Sequence, residues 1–229
     1  MFVYFDRKFY MGENMEKYNS NNIIKDILKW WENNKRIFPW RETNDPYIII
    51  CSEIMLQQTN AEKVEQVYYD FFEKYPTIFK LNESSLEEIF EFIKPLGLYK
   101  RAESLKEIAE IVVKKYDGKI PHKKCEIMKL PGVGHYTAGA VMVFAYDKSY
   151  GLIDTNTIRV LERVFLISSD KSRPRTDKKL RKKINNLIKD FDAKKVNYAF
   201  LDFASLICQK KSPKCKNCPV KNECEYNKK

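Results

Sequence analysis

The sequence predicts an all-α protein. Only 7 of its 229 residues are glycine, and apolar side chains recur at positions i, i+3 and i+4 through most of the chain, which is the period of a helix that packs on one face. Aromatic residues make up 14% of the chain, enough for a substantial core.

No apolar run reaches the roughly 18 residues that a membrane-spanning helix needs, and Met1–Tyr10 lacks the apolar stretch of a signal peptide, so we expect no membrane partner.

The predicted helices begin and end at residues that favour those positions. Residues 1–20 have no clear period and are assigned to an N-terminal extension. Ser20 can cap a first helix, and Asp45–Pro46 begins a second helix, apolar on nearly all sides, that runs to Gln58. A third helix is stopped by Pro76. Further helices are predicted from a Ser84–Glu87 capping box to Ile93, and at 98–116, 123–129, 135–146, from Asp154 onward, and at 196–207.

The chain is strongly basic. It has 42 Lys and Arg against 31 Asp and Glu, a net charge of +11. Such a balance favours a polyanionic partner, most simply nucleic acid. The densest basic run, residues 171–183, is interpreted as a solvated helix face, although it could also face phosphates. We expect the protein in the cytoplasm, associated with the nucleoid.

The stretch Leu130–Ala138 contains a Gly-x-Gly turn between two helical patterns. Pro131 prevents a continuous helix, and Gly132 and Gly134 allow positive φ angles and the close approach of another backbone. The helix that follows presents its first N–H groups toward the turn, which is a ready site for an anion such as DNA phosphate. Taken alone, such a turn is more often an ordinary corner of a helical bundle.

Four cysteines crowd the C-terminal part of the chain as C-x6-C-x2-C-x5-C. They are Cys208, Cys215, Cys218 and Cys224. In a reducing compartment this density indicates a metal site before it indicates disulfides. Zinc sites usually pair two C-x2-C turns, whereas the uneven spacing here suits an iron–sulfur cubane. Structural zinc is the alternative. Lysines lie between the ligands, so we expect a structural and DNA-contacting role.

Two acids are candidates for catalysis. Asp154 lies at a predicted helix N-terminus, where the helix dipole favours a negative charge, although an ordinary N-cap would look the same. Glu53 lies within an all-apolar helix, where desolvation disfavours its charged form and where an acid is rare unless it is paired or functional. A charged and a neutral carboxyl group would form a suitable acid–base pair at a glycosidic bond.

Together these motifs resemble the helix-hairpin-helix family of DNA base-excision glycosylases, of which endonuclease III is a member. They run in the family's order from about residue 22 to residue 226. The matching segments are Phe38–Trp40, Asp45–Tyr47, Ser52–Thr59, Gly97–Ala102, Leu130–Ala138, Ile153–Asn156 and the cysteine loop.

The resemblance implies a two-domain helical fold. A six-helix barrel with the hairpin would comprise residues 40–153, and an iron–sulfur cluster domain would be built from residues 21–39 and 154–229. The two would flank a cleft for double-stranded DNA, from which such enzymes flip a base into a pocket. The family also implies a [4Fe-4S] cluster on the four cysteines and a monovalent cation at the hairpin. A monomer is expected.

The resemblance further implies roles for individual residues. Asp154 matches the family's catalytic aspartate, which stabilises the oxocarbenium-like sugar as the base leaves. Glu53 would contact or protonate the flipped base, and Tyr136 would line the base pocket. The residues implied to contact DNA are Gln57 and Gln58, Tyr99, Lys100 and Arg101 on a wedge loop, and Gly132, Gly134, His135 and Thr137 at the hairpin.

Tyr136 indicates the branch of the family. Endonuclease III relatives carry at this position the lysine that attacks C1′, and tyrosine cannot form a Schiff base, so the chain resembles a monofunctional glycosylase. Tyrosine here is similar to the archaeal thymine/uracil mismatch glycosylases. Gln57 and Gln58 instead resemble the mismatch adenine glycosylases, which carry a further C-terminal domain, whereas this chain stops five residues after Cys224.

The expected function is removal of uracil or thymine from U:G and T:G mismatches during base-excision repair. An adenine glycosylase acting on A:8-oxoguanine and a bifunctional glycosylase/lyase are the enzymatic alternatives. A silent damage-binding protein of the same fold is the non-enzymatic alternative, and it does not account for Glu53 and Asp154 at the matched positions.

Overall fold

The structure is a computed structural model that describes residues 20–228. This part of the chain forms eleven α-helices and no β-strand, which confirms the all-α prediction. The predicted N-terminal extension lies outside the described residues, apart from Ser20. The helices are α1 Ser20–Asn34, α2 Pro46–Met55, α3 Ala61–Lys74, α4 Ile78–Glu83, α5 Leu86–Ile93, α6 Lys100–Tyr116, α7 Lys124–Ile127, α8 His135–Phe144, α9 Thr155–Val164, α10 Lys178–Ile188 and α11 Ala193–Leu206.

The chain divides into two compact units. The first, here called the hairpin unit, comprises Arg36–Leu152 with Phe191–Lys194. The second, the cysteine unit, comprises the described residues up to Lys35, Ile153–Asp190 and residues 195–228. No helix in residues 20–228 is both long enough and apolar enough to cross a membrane.

Helix α2 is the centre of the hairpin unit. Asp45 caps it by accepting a hydrogen bond from the Tyr47 amide at 2.8 Å, with Pro46 at the first helical position, as predicted. Its apolar residues are buried almost all round, because α2 packs against α3, α6 and α8. The helix ends at Met55 instead of Gln58, which adopts a left-handed conformation with φ of 56°.

Helix α6 begins later than predicted. Gly97 and Leu98 have φ angles of 73° and 60°, so the backbone turns out of helical geometry before Lys100. The helix ends at Tyr116, as predicted, and is followed by Asp117, which is left-handed with φ of 51°. Helix α4, absent from the prediction, begins after Thr77, whose side chain accepts a hydrogen bond from the Lys80 amide at 3.3 Å.

The capping box of α5 uses a different pair of residues from the predicted Ser84 and Glu87. Ser85 Oγ accepts from the Glu88 amide at 3.1 Å, and the Glu88 carboxylate accepts from the Ser85 amide at 3.0 Å. The sequence contains two overlapping S-x-x-E patterns, and only this one places Leu86 at the first helical position.

We expect Ser85→Ala to lower the free energy of unfolding by about 1 kcal/mol, because the Glu88 amide loses its capping acceptor. Glu88→Ala should also destabilise the protein, whereas Glu87→Ala, on the neighbouring exposed position, should change stability little. Urea unfolding followed by circular dichroism measures all three. A larger loss for Glu87→Ala than for Glu88→Ala would contradict the observed pairing.

The cysteine unit joins distant parts of the sequence. Trp31 Nε1 on α1 donates to Asp202 Oδ2 on α11 at 2.9 Å, across 171 positions in the chain. The rings of Trp30 and Phe203 meet edge to face with centroids 5.7 Å apart. These contacts hold α1 against α11.

The basic run ends in α10, which is amphipathic. Leu180, Ile184 and Ile188 are buried, and most of the lysines of this helix are exposed, as expected of a solvated face. Asp177 caps α10 by accepting from the Lys179 amide at 2.8 Å. A hydrogen bond from Ser169 at 2.6 Å, together with this amide, lowers the pKa of Asp177 below its ordinary value.

Candidate functional site

The hairpin runs from α7 through residues 128–134 to α8. Gly132 is left-handed with φ of 71°, and a Cβ atom there would lie 2.5 Å from Ser104 Oγ of α6. Both facts require glycine at this position, as the sequence predicted. The hairpin turn is therefore packed directly against α6.

Gly134 differs from the prediction. Its φ of −96° is an extended conformation open to any residue, so positive φ is not the reason for glycine here. Gly134 is the N-cap of α8 and supplies no capping side chain, and an added Cβ would meet no atom within 4 Å. The space in front of the first turn of α8 is consequently open on this side.

The first turn of α8 carries three of the predicted site residues. His135 is exposed and Tyr136 is half-buried. Thr137 is only 4% exposed, so its side chain belongs to the core of the unit. Any contact of Thr137 with phosphate would have to use its backbone amide.

The turn after α2 lies beside the hairpin. Gln57 Nε2 donates to the Gly132 carbonyl at 2.9 Å, so this side chain ties the two loops together. Gln58 follows in its left-handed conformation and is exposed. Of the two glutamines predicted to contact DNA, Gln58 presents its side chain to solvent and Gln57 uses its side chain within the protein.

Arg101, which is predicted to contact DNA, is buried in the structure. Its side chain is 3% exposed, and its Nη1 donates to the carbonyls of Leu96 at 2.8 Å and Gly97 at 3.1 Å. Its Nη2 donates to the carbonyl of Gln57 and to Thr59 Oγ1. Burial lowers the pKa of Arg101 below its ordinary value. The guanidinium is thus used inside the hairpin unit.

The wedge loop before α6 remains exposed at its tip. Leu98 is 52% exposed and Tyr99 is 42% exposed, which is unusual for large apolar side chains beside a buried core. The Tyr99 ring packs on Phe90 with centroids 4.8 Å apart, and Lys100 is exposed. These three side chains are available to a ligand.

Glu53 is buried in α2, with 8% of its surface exposed. It lies in the hairpin unit, as do Tyr136 and all of the predicted DNA-binding residues. Asp154 and the four cysteines lie in the cysteine unit.

Asp154 is the N-cap of α9. Its Oδ1 accepts from the Thr157 amide at 2.7 Å, and its Oδ2 accepts from Asn156 Nδ2 at 2.9 Å. Both oxygens of the carboxyl group are therefore fixed in direction. The side chain is half-buried, so it combines a defined orientation with access from outside.

A chain of hydrogen bonds leads from Asp154 to the cysteine loop. Asn156 Oδ1 accepts from Arg159 Nη2 at 3.2 Å. Arg159 also donates through Nε to the Cys208 carbonyl at 2.7 Å and through Nη2 to the Ala204 carbonyl at 2.9 Å. The orientation of Asp154 is thereby linked to the backbone of Cys208.

None of the six cysteines, all of which lie in the described residues, forms a disulfide bond. The four in the C-terminal loop line one cavity, together with Phe203, Ile207 and Pro213. Nowhere in the described residues do three His, Cys, Asp or Glu side chains converge tightly enough to hold a single metal ion.

Positive charge lies beside this cavity. Arg163 Nη1 is 3.8 Å from Cys208 Sγ, and Cys224 Sγ donates to the Arg163 carbonyl at 3.3 Å. Burial raises the pKa of the Cys208 thiol, against the effect of Arg163, and raises that of Cys218 to about 11. Arg159 and Arg163, both on α9, were not among the predicted site residues. Their spacing of four, which puts both on one helix face, was the available signal.

Comparison with known proteins gives consistent matches. The model of the family described as HhH-GPD superfamily base excision DNA repair protein matches residues 51–186. A thymine/uracil-DNA glycosylase of Pyrobaculum aerophilum is 40% identical over 200 residues, which cover 86% of this chain and 87% of that one. An adenine DNA glycosylase of Buchnera aphidicola is 36% identical over 204 residues, covering 89% of this chain and 58% of that one.

The similarity extends to three dimensions. The solved structure of a thermostable thymine-DNA glycosylase is 35% identical in sequence and superposes with a TM-score of 0.87. The match covers 94% of this chain and 99% of that chain. The whole described fold, and not only the hairpin, is therefore shared.

Proposed function

Since the chain belongs to the HhH-GPD superfamily of base excision DNA repair proteins, we propose that it is a monofunctional DNA glycosylase that removes uracil or thymine opposite guanine. Its similarity to a thymine/uracil-DNA glycosylase along nearly the full length of both chains is the observation that carries this proposal. Tyr136 in the first turn of α8 supports it, because a tyrosine offers no amine for covalent attack on the sugar.

Asp154 is the proposed catalytic carboxylate. As the bond between C1′ and the base nitrogen breaks, positive charge develops on the sugar, and a carboxylate held in a fixed direction stabilises it. Water then adds to C1′, and one of its protons ends on the departing base. We assign Glu53 to contact with the flipped base, where a buried acid can donate a proton to a leaving group.

The hairpin is the proposed phosphate site. The first turn of α8 carries the positive end of the helix dipole, and Gly134 leaves the approach open. His135 and Lys100 are exposed hydrogen-bond donors in the same unit. Gln58, Leu98 and Tyr99 are the exposed side chains that we propose reach into the duplex. A monovalent cation at the hairpin remains a prediction.

We assign a [4Fe-4S] cluster to Cys208, Cys215, Cys218 and Cys224. The four thiols line one cavity, and Arg163 supplies positive charge to balance a cluster with thiolate ligands. When bound, the cluster supplies a rigid crosslink for a loop whose lysines then face DNA. Structural zinc on the same four cysteines is the alternative.

Purified protein is expected to be coloured and to contain iron and acid-labile sulfide in equal amounts. Cys218→Ser should lose the visible absorbance and the iron, because one ligand is removed, whereas Cys125→Ser, an exposed cysteine outside the loop, should keep both. Metal analysis with absorbance spectroscopy measures this. Zinc in place of iron in the unsubstituted protein would contradict the cluster.

The substrate is tested with three duplexes carrying U:G, T:G and A:8-oxoguanine. Incubation with the protein, followed or not by alkali, separates base removal from strand cleavage. Cleavage of U:G and T:G only after alkali is the expected result. Cleavage without alkali would indicate a lyase, and cleavage of none of the three would contradict the proposed function.

Adenine removal is the second candidate. Gln57 and Gln58 favour it because this pair resembles the adenine enzymes, and an adenine glycosylase is among the similar chains. In that case the A:8-oxoguanine duplex would be the one cut.

We further propose that the protein acts as a monomer in the cytoplasm, at the nucleoid.

A further inference from the structure

One hydrogen-bonded network joins three loops of the hairpin unit. Arg101 donates to Leu96 and Gly97 in the wedge loop on one side and to Gln57 and Thr59 in the turn after α2 on the other. Gln57 continues the network, since its side-chain amide donates to the Gly132 carbonyl of the hairpin at 2.9 Å. The three loops are thus connected through two side chains.

The residues that bond to Arg101 are the chain neighbours of two residues with an unfavourable backbone conformation. Gln58 and Leu98 are not glycine, yet both are left-handed, with φ of 56° and 60°. L-residues avoid this region because Cβ approaches the carbonyl oxygen, so such conformations persist only where the surroundings fix them. Arg101 bonds to the residues on both sides of Gln58 and to the residue before Leu98.

The two strained residues lie at the exposed tips of their loops. Gln58 is exposed, Leu98 is 52% exposed and Tyr99 is 42% exposed, whereas Arg101 beneath them is 3% exposed. The arrangement is a buried cation that supports an exposed edge made of two loops. Side chains on such an edge bind a partner more tightly when they are already ordered, because binding then costs less conformational entropy.

We propose that Arg101 is a positioning residue that holds the loops of residues 56–59 and 96–99 in fixed register with the hairpin, so that Gln58, Leu98 and Tyr99 enter a DNA duplex as one preassembled edge. Arg101 itself does not touch DNA. The proposal rests on the DNA-binding activity in the proposed function and adds the residue that organises its contact surface.

Arginine is required at this position by geometry. Its planar guanidinium presents donors in two directions, and here Nη1 serves the wedge loop while Nη2 serves the turn after α2. A lysine ammonium is a compact charge that can reach one loop but cannot bridge both in fixed directions. Arg101→Lys therefore keeps the charge and removes the bridge.

The first experiment uses a duplex with a stable abasic analogue opposite 2-aminopurine, whose fluorescence rises when it is unstacked. No base is excised, so the result does not depend on the glycosylase reaction. We expect Arg101→Lys and Arg101→Met to bind this duplex about tenfold more weakly than the unsubstituted protein and to lose most of the fluorescence rise. Gln57→Met breaks only the link to Gly132, and it should also weaken binding of the duplex and reduce the fluorescence rise.

The control separates positioning from loss of stability. Leu105→Ala removes a fully buried side chain from the same helix, α6, and this apolar side chain takes no part in the hydrogen-bonded network of Arg101. At a temperature where all variants are folded, this variant should bind and unstack the duplex normally despite a lowered Tm. If the Arg101 variants behave like Leu105→Ala, Arg101 is merely structural and the proposal is overturned.

A second experiment measures single-turnover release of uracil from a U:G duplex and from single-stranded DNA. The Arg101 variants should be slowed about tenfold on the duplex and unchanged on the single strand, because only the duplex requires a base to be flipped. Equal slowing on both substrates would overturn the proposal. If the unsubstituted protein releases no base while the fluorescence result still separates the variants, the proposed function fails and the positioning role stands.

Discussion

Replacing Asp154 by asparagine is expected to slow uracil release from a U:G duplex by about 10³-fold. Asparagine is as good an N-cap as aspartate, so the hydrogen bond from the Thr157 amide and the start of α9 are retained. What is removed is the negative charge that we propose stabilises the sugar cation. Single-turnover kinetics with alkaline cleavage measure the rate, and duplex binding should be unchanged or tighter because a charge that repels phosphate is lost.

Asp177→Asn is the matched control for this substitution. Asp177 is also the N-cap of a helix in the cysteine unit, and it lies at the start of α10, apart from the proposed chemistry. This variant should keep the full rate of base release. Loss of duplex binding in Asp154→Asn, or an equal loss of rate in both variants, would contradict the catalytic assignment of Asp154.

Tyr136→Lys is expected to convert a protein without strand-cleaving activity into one that forms a covalent intermediate with DNA. The new amine would lie in the first turn of α8, where the positive end of the helix dipole disfavours the ammonium form and leaves the nitrogen nucleophilic. Attack on C1′ expels the base and gives a Schiff base. Borohydride reduction followed by denaturing electrophoresis measures the trapped complex.

His135→Lys provides the comparison for this gain of activity. His135 is the neighbouring residue, exposed in the same helical turn, and a lysine there should not be trapped if the position of Tyr136 is specific. Equal trapping by both variants, or none by Tyr136→Lys although base release continues, would contradict the placement of Tyr136 at the reacting sugar.

Local signals in the sequence were sufficient for most helix boundaries. The start of α2 at Asp45 and Pro46 and the end of α6 at Tyr116 were predicted, because capping depends on a few neighbouring residues. The capping box of α5 shows the limit of this approach, since overlapping patterns at Ser84 and Ser85 are equally good until packing decides between them. The short helix α4 was missed because six residues carry too little periodicity.

The candidate site was harder to predict where long-range packing determines the position and role of a side chain. Arg101 lies in a segment that resembles a DNA-contacting motif, and nothing in its neighbours shows that two distant loops provide carbonyls to bury it. Gly134 was expected to allow a positive φ and the close approach of another backbone. It is extended, and the open space in front of it is what distinguishes the position. The role of Arg159 depends on Cys208, 49 positions later.

The contact between Trp31 and Asp202 has a consequence for the order in which a newly made chain folds. Residues 36–152 leave the ribosome as one continuous stretch and can form their core during synthesis. Helix α1 is made before them, but it cannot form its contact with α11 until α11 has been synthesised. Closing a contact across 171 positions comes late because the entropy of so long a loop must first be overcome. A chain interrupted before residue 202 would therefore carry the hairpin but leave the tryptophans of α1 exposed, and so be a substrate for chaperones and proteases instead of a competitor for damaged DNA.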